Sequence, residues 1–188
     1  MESKKENKNR RSIRLANWEY SWSGYYFVTI CAAKGELLFG NIEDEKMILN
    51  DVGRIVGDVW NEIPKHFSGV ELDVFVVMPN HVHGVIAIVD GRDGVENSRD
   101  VVGARHASPL RPCGVAPRSL GSIVGSFKSA VTKRVNENRG TPGVPVWQRN
   151  YYEHVIRDEG DLERIREYIA NNPLRWALDE EKPENRVS

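Results

Sequence analysis

Val70-Glu71-Leu72-Asp73-Val74-Phe75-Val76-Val77-Met78-Pro79-Asn80-His81-Val82-His83-Gly84-Val85-Ile86-Ala87-Ile88-Val89 decides the fold. Val70 to Met78 is rich in β-branched and aromatic residues and becomes fully apolar, which predicts a buried strand. Pro79-Asn80 is a turn signal. His81 to Val89 then resumes the β-forming pattern. Two apolar strands joined by so short a turn predict the centre of an antiparallel sheet.

Working outward, Tyr25 to Cys31 reads as a further strand, and Leu37 to Phe39 and Met47 to Leu49 as short strands around a polar turn. Asn50 is a plausible N-cap. After it Val52, Ile55, Val56, Val59, Trp60 and Ile63 recur at helical spacing until Pro64. Gly53 and Gly57 weaken that helix slightly. Leu120, Ile123, Val124, Phe127, Val131 and Val135 mark a second helix. Tyr151 to Ile156 reads as extended. Asp158 or Gly160-Asp161 starts a third helix, with Leu162, Ile165, Tyr168 and Ile169, and Pro173 stops it. The order strand, helix, strand, strand, helix, strand, helix predicts an α+β domain. It has a ferredoxin-like, RRM-like antiparallel sheet, helices on one face, and an extra C-terminal helix carrying Tyr168. The other sheet face is then free for a ligand.

A chain of 188 residues with 40% hydrophobic and 28% charged residues has material for one soluble core. Residues 1–14 predict a flexible basic arm, 15–178 the domain, and 179–188 a tail. The Gly-, Arg- and Pro-rich stretch 90–118 has no periodicity and reads as an inserted, flexible loop. No apolar run reaches a membrane span. Met1 to Arg14 lacks the apolar segment of a secretory signal, and Cys31 and Cys113 form no disulfide framework. A cytoplasmic protein with no membrane partner follows.

The net charge of -1 hides an uneven distribution. Arg10, Arg11 and Arg14 crowd the N-terminus with three lysines. Lys128, Lys133 and Arg134 lie on the polar face of the second helix, whereas acidic residues concentrate at 43–73 and 158–184. The two basic clusters suit nucleic-acid phosphates, and equally a solvated helix face and a loose tail.

On a strand His81 and His83 point to one face, about 7 Å apart at the Cα atoms, while Val82 packs on the other. Two imidazoles can therefore converge on one divalent ion. The pair alone also suits two ordinary histidines, but its place at a strand start after a turn favours a site. Tyr168 and Asn172 lie one helical turn apart. A phenol can attack a phosphate covalently, and an amide oxygen can join histidines and water around a hard cation. Alone, Tyr168 also suits a core aromatic, and Asn172 a helix cap before Pro173. Tyr151 and Tyr152 are rival nucleophiles on an extended segment with no ligand one turn away. His154 is a possible accessory near the site. His66 and His106 have no supporting context.

Met78-Pro79-Asn80-His81-Val82-His83-Gly84 resembles the histidine-hydrophobic-histidine, or HUH, motif. Gly24 to Thr29, Trp147 to His154 and Glu167 to Pro173 are similar to the other blocks of transposases with one catalytic tyrosine, above all the REP-associated tyrosine transposases. The resemblance spans roughly residues 14–178 without the insertion. It implies an HUH transposase domain over 15–178 that cleaves single-stranded DNA beside REP-like hairpins with Mg²⁺ or Mn²⁺. The products are a 5′-phosphotyrosine and a free 3′-OH. It also implies His81, His83 and Asn172 as ligands and Tyr168 as nucleophile, in a monomer, with the dimer of smaller relatives as the alternative. Many of those relatives carry glutamine where this chain has Asn172, one methylene shorter. Two other functions fit the residues: a non-catalytic RRM-like nucleic-acid-binding domain, and a metal phosphodiesterase that uses water.

Overall fold

The computed structural model describes residues 23–89 and 119–176. The expected basic arm with Arg10, Arg11 and Arg14, the 90–118 insertion, His106 and the 179–188 tail lie outside them. The described chain runs β1 (Gly24–Cys31), β2 (Gly40–Glu43), β3 (Lys46–Leu49), α1 (Asp51–His66), β4 (Val70–Val77), β5 (His81–Ile88), α2 (Leu120–Arg139), β6 (Tyr152–Ile156) and α3 (Glu159–Ala170). β4, β5, β1 and β6 form one sheet in that order, every pair antiparallel. This is the ferredoxin-like α+β arrangement expected, but β5 and β1 form its middle, and the β4–β5 hairpin expected at the centre has β4 at an edge.

Alternation along the strands divides the side chains between two faces. Tyr26, Val28 and Ile30 of β1, Val82, Ile86 and Ile88 of β5 and Val155 of β6 meet the apolar stripes of α1 and α2 in the main core. Gly84 is required there. A Cβ at that position would collide with the indole of Trp60, which lies between Phe75 and Phe127. Gly53, a weak helix former on propensity, lets α1 approach the Phe39 carbonyl for the same reason.

The opposite face is not wholly free. Phe27, Val85 and Ile156 pack there against Leu162 and Ile169 of α3 in a second, smaller cluster. The extra helix thus shares that face with whatever the site binds.

Two local expectations are corrected. The first short strand begins at Gly40, not at Leu37. Leu37 is exposed, and Phe39 is buried beside Trp147 instead of paired. α1 continues two residues past Pro64, because the Phe67 N–H still closes onto the Ile63 carbonyl at 3.1 Å. A proline this near a C-terminus breaks only one bond of the last turn. α2 begins at a Ser119 side-chain cap, and α3 begins, as expected, at Asp158. No helix among the described residues is long and apolar enough to cross a membrane.

Candidate metal and tyrosine site

His81, His83 and Val85 project from β5 toward α3. His81 is fully buried and His83 is 3% exposed. Their ring centroids stand 4.3 Å apart, so the side chains lean together well inside the roughly 7 Å of their backbone spacing.

Hydrogen bonds fix which nitrogens face each other. Asn80, also fully buried, donates its Nδ2 to the Gly35 carbonyl at 3.4 Å. That turns Oδ1 toward His81 Nδ1, 2.9 Å away. An amide oxygen only accepts, so Nδ1 carries the His81 proton and Nε2 keeps its lone pair. His83 Nδ1 bonds Thr29 Oγ1 at 2.8 Å, and its Nε2 meets the Tyr168 hydroxyl at 3.2 Å. With the phenol donating to Nε2, Nδ1–H donates to Thr29, the same tautomer as in His81. Burial pushes the His83 pKa down to about 3, which keeps the ring neutral at working pH. Thr29 and Asn80 therefore orient two neutral imidazoles in the way that partners of metal-binding histidines do. Neither was singled out as a site residue. Thr29 looks like any β-former and Asn80 like any turn residue. Only the β1–β5 register, which pairs Thr29 with His83, reveals the role.

Tyr168 reaches His83 because α3 lies across β5. Leu162 and Ile169 form its buried face, and Tyr168 sits at the edge of that face, 41% exposed. Its ring stands edge-on to Phe27 at 6.1 Å and lies 5.2 Å from the His83 ring. The phenol oxygen is thus bonded to the histidine pair yet open to a large substrate.

α3 ends at Ala170 and the chain continues in tight turns over 171–175. Within them Asn172 is 3% exposed. Its N–H points back to the Ile169 carbonyl at 3.3 Å, and its side-chain Oδ1 is buried with no hydrogen-bond partner. Leaving such an oxygen unpaired costs about 1–3 kcal/mol. A cation ligand would relieve that cost. Four residues before Asn172, Tyr168 touches His83. Four residues after it, Trp176 lies 6.1 Å from the His81 ring. Among the described residues no three His, Cys, Asp or Glu side chains cluster for a metal. Two imidazole nitrogens and one amide oxygen remain, a donor set that fits a hard or borderline divalent ion completed by water.

The other candidates fall elsewhere. His154 bonds Asp161 of α3 at 2.8 Å, which fastens the helix start to β6. Tyr152 shares the site face and is 45% exposed, but Thr29 separates it from His83 in the sheet. Two strand spacings make roughly 10 Å. Tyr151 packs against the main core on the other face. His66 is exposed at the end of α1.

The α2 cations also have protein partners. Lys128 Nζ donates to the carbonyls of Gln148 and Arg149 at 2.6 and 3.0 Å, and burial lowers its pKa. Arg134 forks onto Glu62 at 2.6 and 3.1 Å. Lys133 is largely exposed, 4.0 Å from Glu137. α2 packs behind the sheet, away from the histidines. Its Lys128 end nevertheless reaches the same sheet end, since the Gln148 N–H bonds the Cys31 carbonyl and Cys31 is paired with His81. An open cleft of about 570 Å³ lies there, and its charged lining side chains, Lys128, Lys133 and Arg149, are all cationic.

No protein-family model matches the chain. A Haemophilus influenzae protein described as uncharacterized is 44% identical over 172 residues, covering 92% of each chain. Among solved structures, a REP-associated tyrosine transposase bound to a REP hairpin is similar with a TM-score of 0.51 and 16% identity. The match covers 89% of this chain and 77% of that one. At that identity the likeness is one of fold.

Proposed function

This chain belongs to one family with the Haemophilus influenzae protein and has the fold of a REP-associated tyrosine transposase, and we propose on that premise that it is an HUH single-tyrosine transposase. Its substrate is single-stranded DNA beside a REP-like hairpin, and its place of action the cytoplasm. The observation that carries the proposal is the 3.2 Å contact between Tyr168 Oη and His83 Nε2. It unites two motifs 85 residues apart around a buried histidine pair. An RRM-like binding domain has no need of that contact, and a water-using phosphodiesterase has no use for the phenol. His81, His83, Tyr168 and Asn172 come from one chain, which supports a monomer.

In the reaction Tyr168 Oη attacks the phosphorus. The bond from phosphorus to the 3′ oxygen breaks, that oxygen takes up a proton, and the phenol loses one. A 5′-phosphotyrosine and a free 3′-OH result. One phosphodiester replaces another, so the reverse attack can rejoin strands without ATP. His83 Nε2 accepts the phenol's hydrogen bond, and a cation bound at that nitrogen would take its one lone pair and leave the phenol beside the ion. His81 Nε2, His83 Nε2 and Asn172 Oδ1 would hold Mg²⁺ or Mn²⁺, which favours the phenolate and polarises the phosphate.

Single-stranded hairpin DNA labelled at either end, incubated with Mn²⁺ and run on a denaturing gel, tests the proposal. Label on the 3′ side of the cut is expected to migrate with the protein. Cleavage without an adduct would mean that water is the nucleophile, and binding without cleavage that the domain is non-catalytic.

Lys128, Lys133 and Arg134, with Arg10, Arg11 and Arg14 of the arm, are assigned to DNA phosphates. The cleft lined by Lys128, Lys133 and Arg149 supports the first two of these. Each lost phosphate contact lowers the salt slope of binding by about 1. A Lys128, Lys133 and Arg134 triple alanine variant should therefore bind hairpin DNA more weakly and with a shallower slope. Unchanged affinity and slope in a salt titration would remove this surface from the DNA path.

A further inference from the structure

α3 is a short helix, and its buried side chains are Leu162 and Ile169. With Ile165 they pack on Phe27, Val85 and Ile156, but apolar contact is non-directional and does not by itself fix how far a helix rolls on a sheet. Side chains reach about 5–6 Å from a helix axis, so a roll of about 20° moves a side-chain tip by about 2 Å. Misplacement of about 1 Å in a reacting group can cost about 100-fold in rate. Something has to fix the rotation of α3 if Tyr168 is to stay at His83.

β4 contains the device. Leu72 is paired with Ile86 and Phe75 with Gly84, so Asp73 and Val74 together oppose the single residue Val85. This is a β-bulge, which re-aims side chains that regular alternation would send apart. Leu72 and Phe75 both pack in the main core, whereas Val74 joins the α3 cluster. Asp73 meets Arg166 of α3 in a two-pronged pair, Nε to Oδ1 at 3.1 Å and Nη2 to Oδ2 at 2.7 Å. The Val74 N–H fixes Asp73 Oδ1 from below at 2.7 Å. Across the sheet, Asp161 of α3 bonds His154 of β6. α3 is thus staked to both outer strands of the sheet.

We propose that Asp73 and Arg166 form a positioning pair that sets the rotation of α3 and so holds the Tyr168 phenol at the histidine pair. The proposal rests on the strand-transferase assignment of Tyr168. The guanidinium beside Asp73 holds that carboxyl below its ordinary range. Arg166 also lies 3.6 Å from Glu159 and 3.5 Å from Glu163, both largely exposed. Partly exposed pairs contribute little stability, but a fork onto a carboxylate has strict geometry. Loss of the pair should therefore disturb the aim of Tyr168 more than the folding of the domain.

The test uses full-length Asp73→Asn, Arg166→Ala and Arg166→Lys with 3-fluorotyrosine at position 168. Two quantities are read: the ¹⁹F resonance, and the rate of adduct formation at saturating hairpin DNA with Mn²⁺. In Asp73→Asn and Arg166→Ala the resonance should shift or broaden. The saturated rate should fall about 10- to 100-fold while hairpin affinity stays unchanged, and Arg166→Lys should recover part of the rate. Unaltered resonance and rate in the first two variants would overturn the proposal. So would a fall in rate matched by an equal loss of folded protein. If the unsubstituted protein forms no adduct, the transferase assignment is what fails, and the ¹⁹F spectra alone decide on the pair.

Discussion

Tyr168→Phe is expected to abolish both strand cleavage and the covalent protein–DNA adduct while leaving the fold and hairpin affinity close to those of the unsubstituted protein. The substitution removes one oxygen and keeps the ring that stands edge-on to Phe27. Its structural cost is the 3.2 Å bond to His83 Nε2, worth about 1 kcal/mol when made and about 1–3 kcal/mol when a buried partner is left behind. A domain of this size tolerates that. The chemical cost is complete, because among the described residues no other phenol stands at the histidine pair. Tyr152 is roughly two strand spacings, about 10 Å, from His83, and Tyr151 packs on the other side of the sheet. Tyr151→Phe and Tyr152→Phe should therefore keep the adduct. Denaturing gels of labelled hairpin DNA with all three variants decide the matter. An adduct that persists in Tyr168→Phe would pass the nucleophile's role to Tyr152, the rival on the same face.

His83→Ala should have a comparable effect by a different route. It removes the nitrogen that aligns the phenol and one of the three proposed cation ligands. Cleavage should fall by orders of magnitude, and Mn²⁺ binding, followed by the signal of the free ion in electron paramagnetic resonance, should weaken. Hairpin affinity should survive, because the assigned phosphate contacts lie elsewhere. Asn172→Ala should weaken Mn²⁺ binding as well, whereas Asn172→Asp, which keeps an oxygen donor at the same reach, should not. Chelator should stop cleavage in the unsubstituted protein, and Mg²⁺ or Mn²⁺ should restore it. Full cleavage in excess chelator would sink the cation assignment, and unchanged Mn²⁺ affinity in both alanine variants would move the ion to other ligands.

Much of this was legible in the sequence because it depends on local periodicity. Alternation over Val70 to Val89 specified the two strands and put His81 and His83 on one face. Helical spacing of Leu162, Ile165 and Ile169 placed Tyr168 on a C-terminal helix, and Asn50 and Asp158 sit where helix caps belong. Errors arose where tertiary contacts outweigh local preference. Phe39 is drawn into the core beside Trp147 instead of pairing in a strand. Gly53 and Gly84, weak formers of helix and strand, are the positions at which the backbone must come closest to its neighbours.

The sequence by itself determined the elements, their order and the residue types able to do the chemistry, since the periods of helix and strand are properties of the local chain. Only the tertiary structure decided which of those residues meet. Sheet register brought Thr29 to His83, and the turn after β4 brought the Asn80 amide to His81. A bulge in β4 turned Asp73 toward Arg166, and α3 crossing the second face carried Tyr168, but not Tyr152, to the histidines. These contacts span from one to more than ninety positions, and the distant ones depend on strand pairing and on how one helix rolls on a sheet. No periodicity in the chain encodes either.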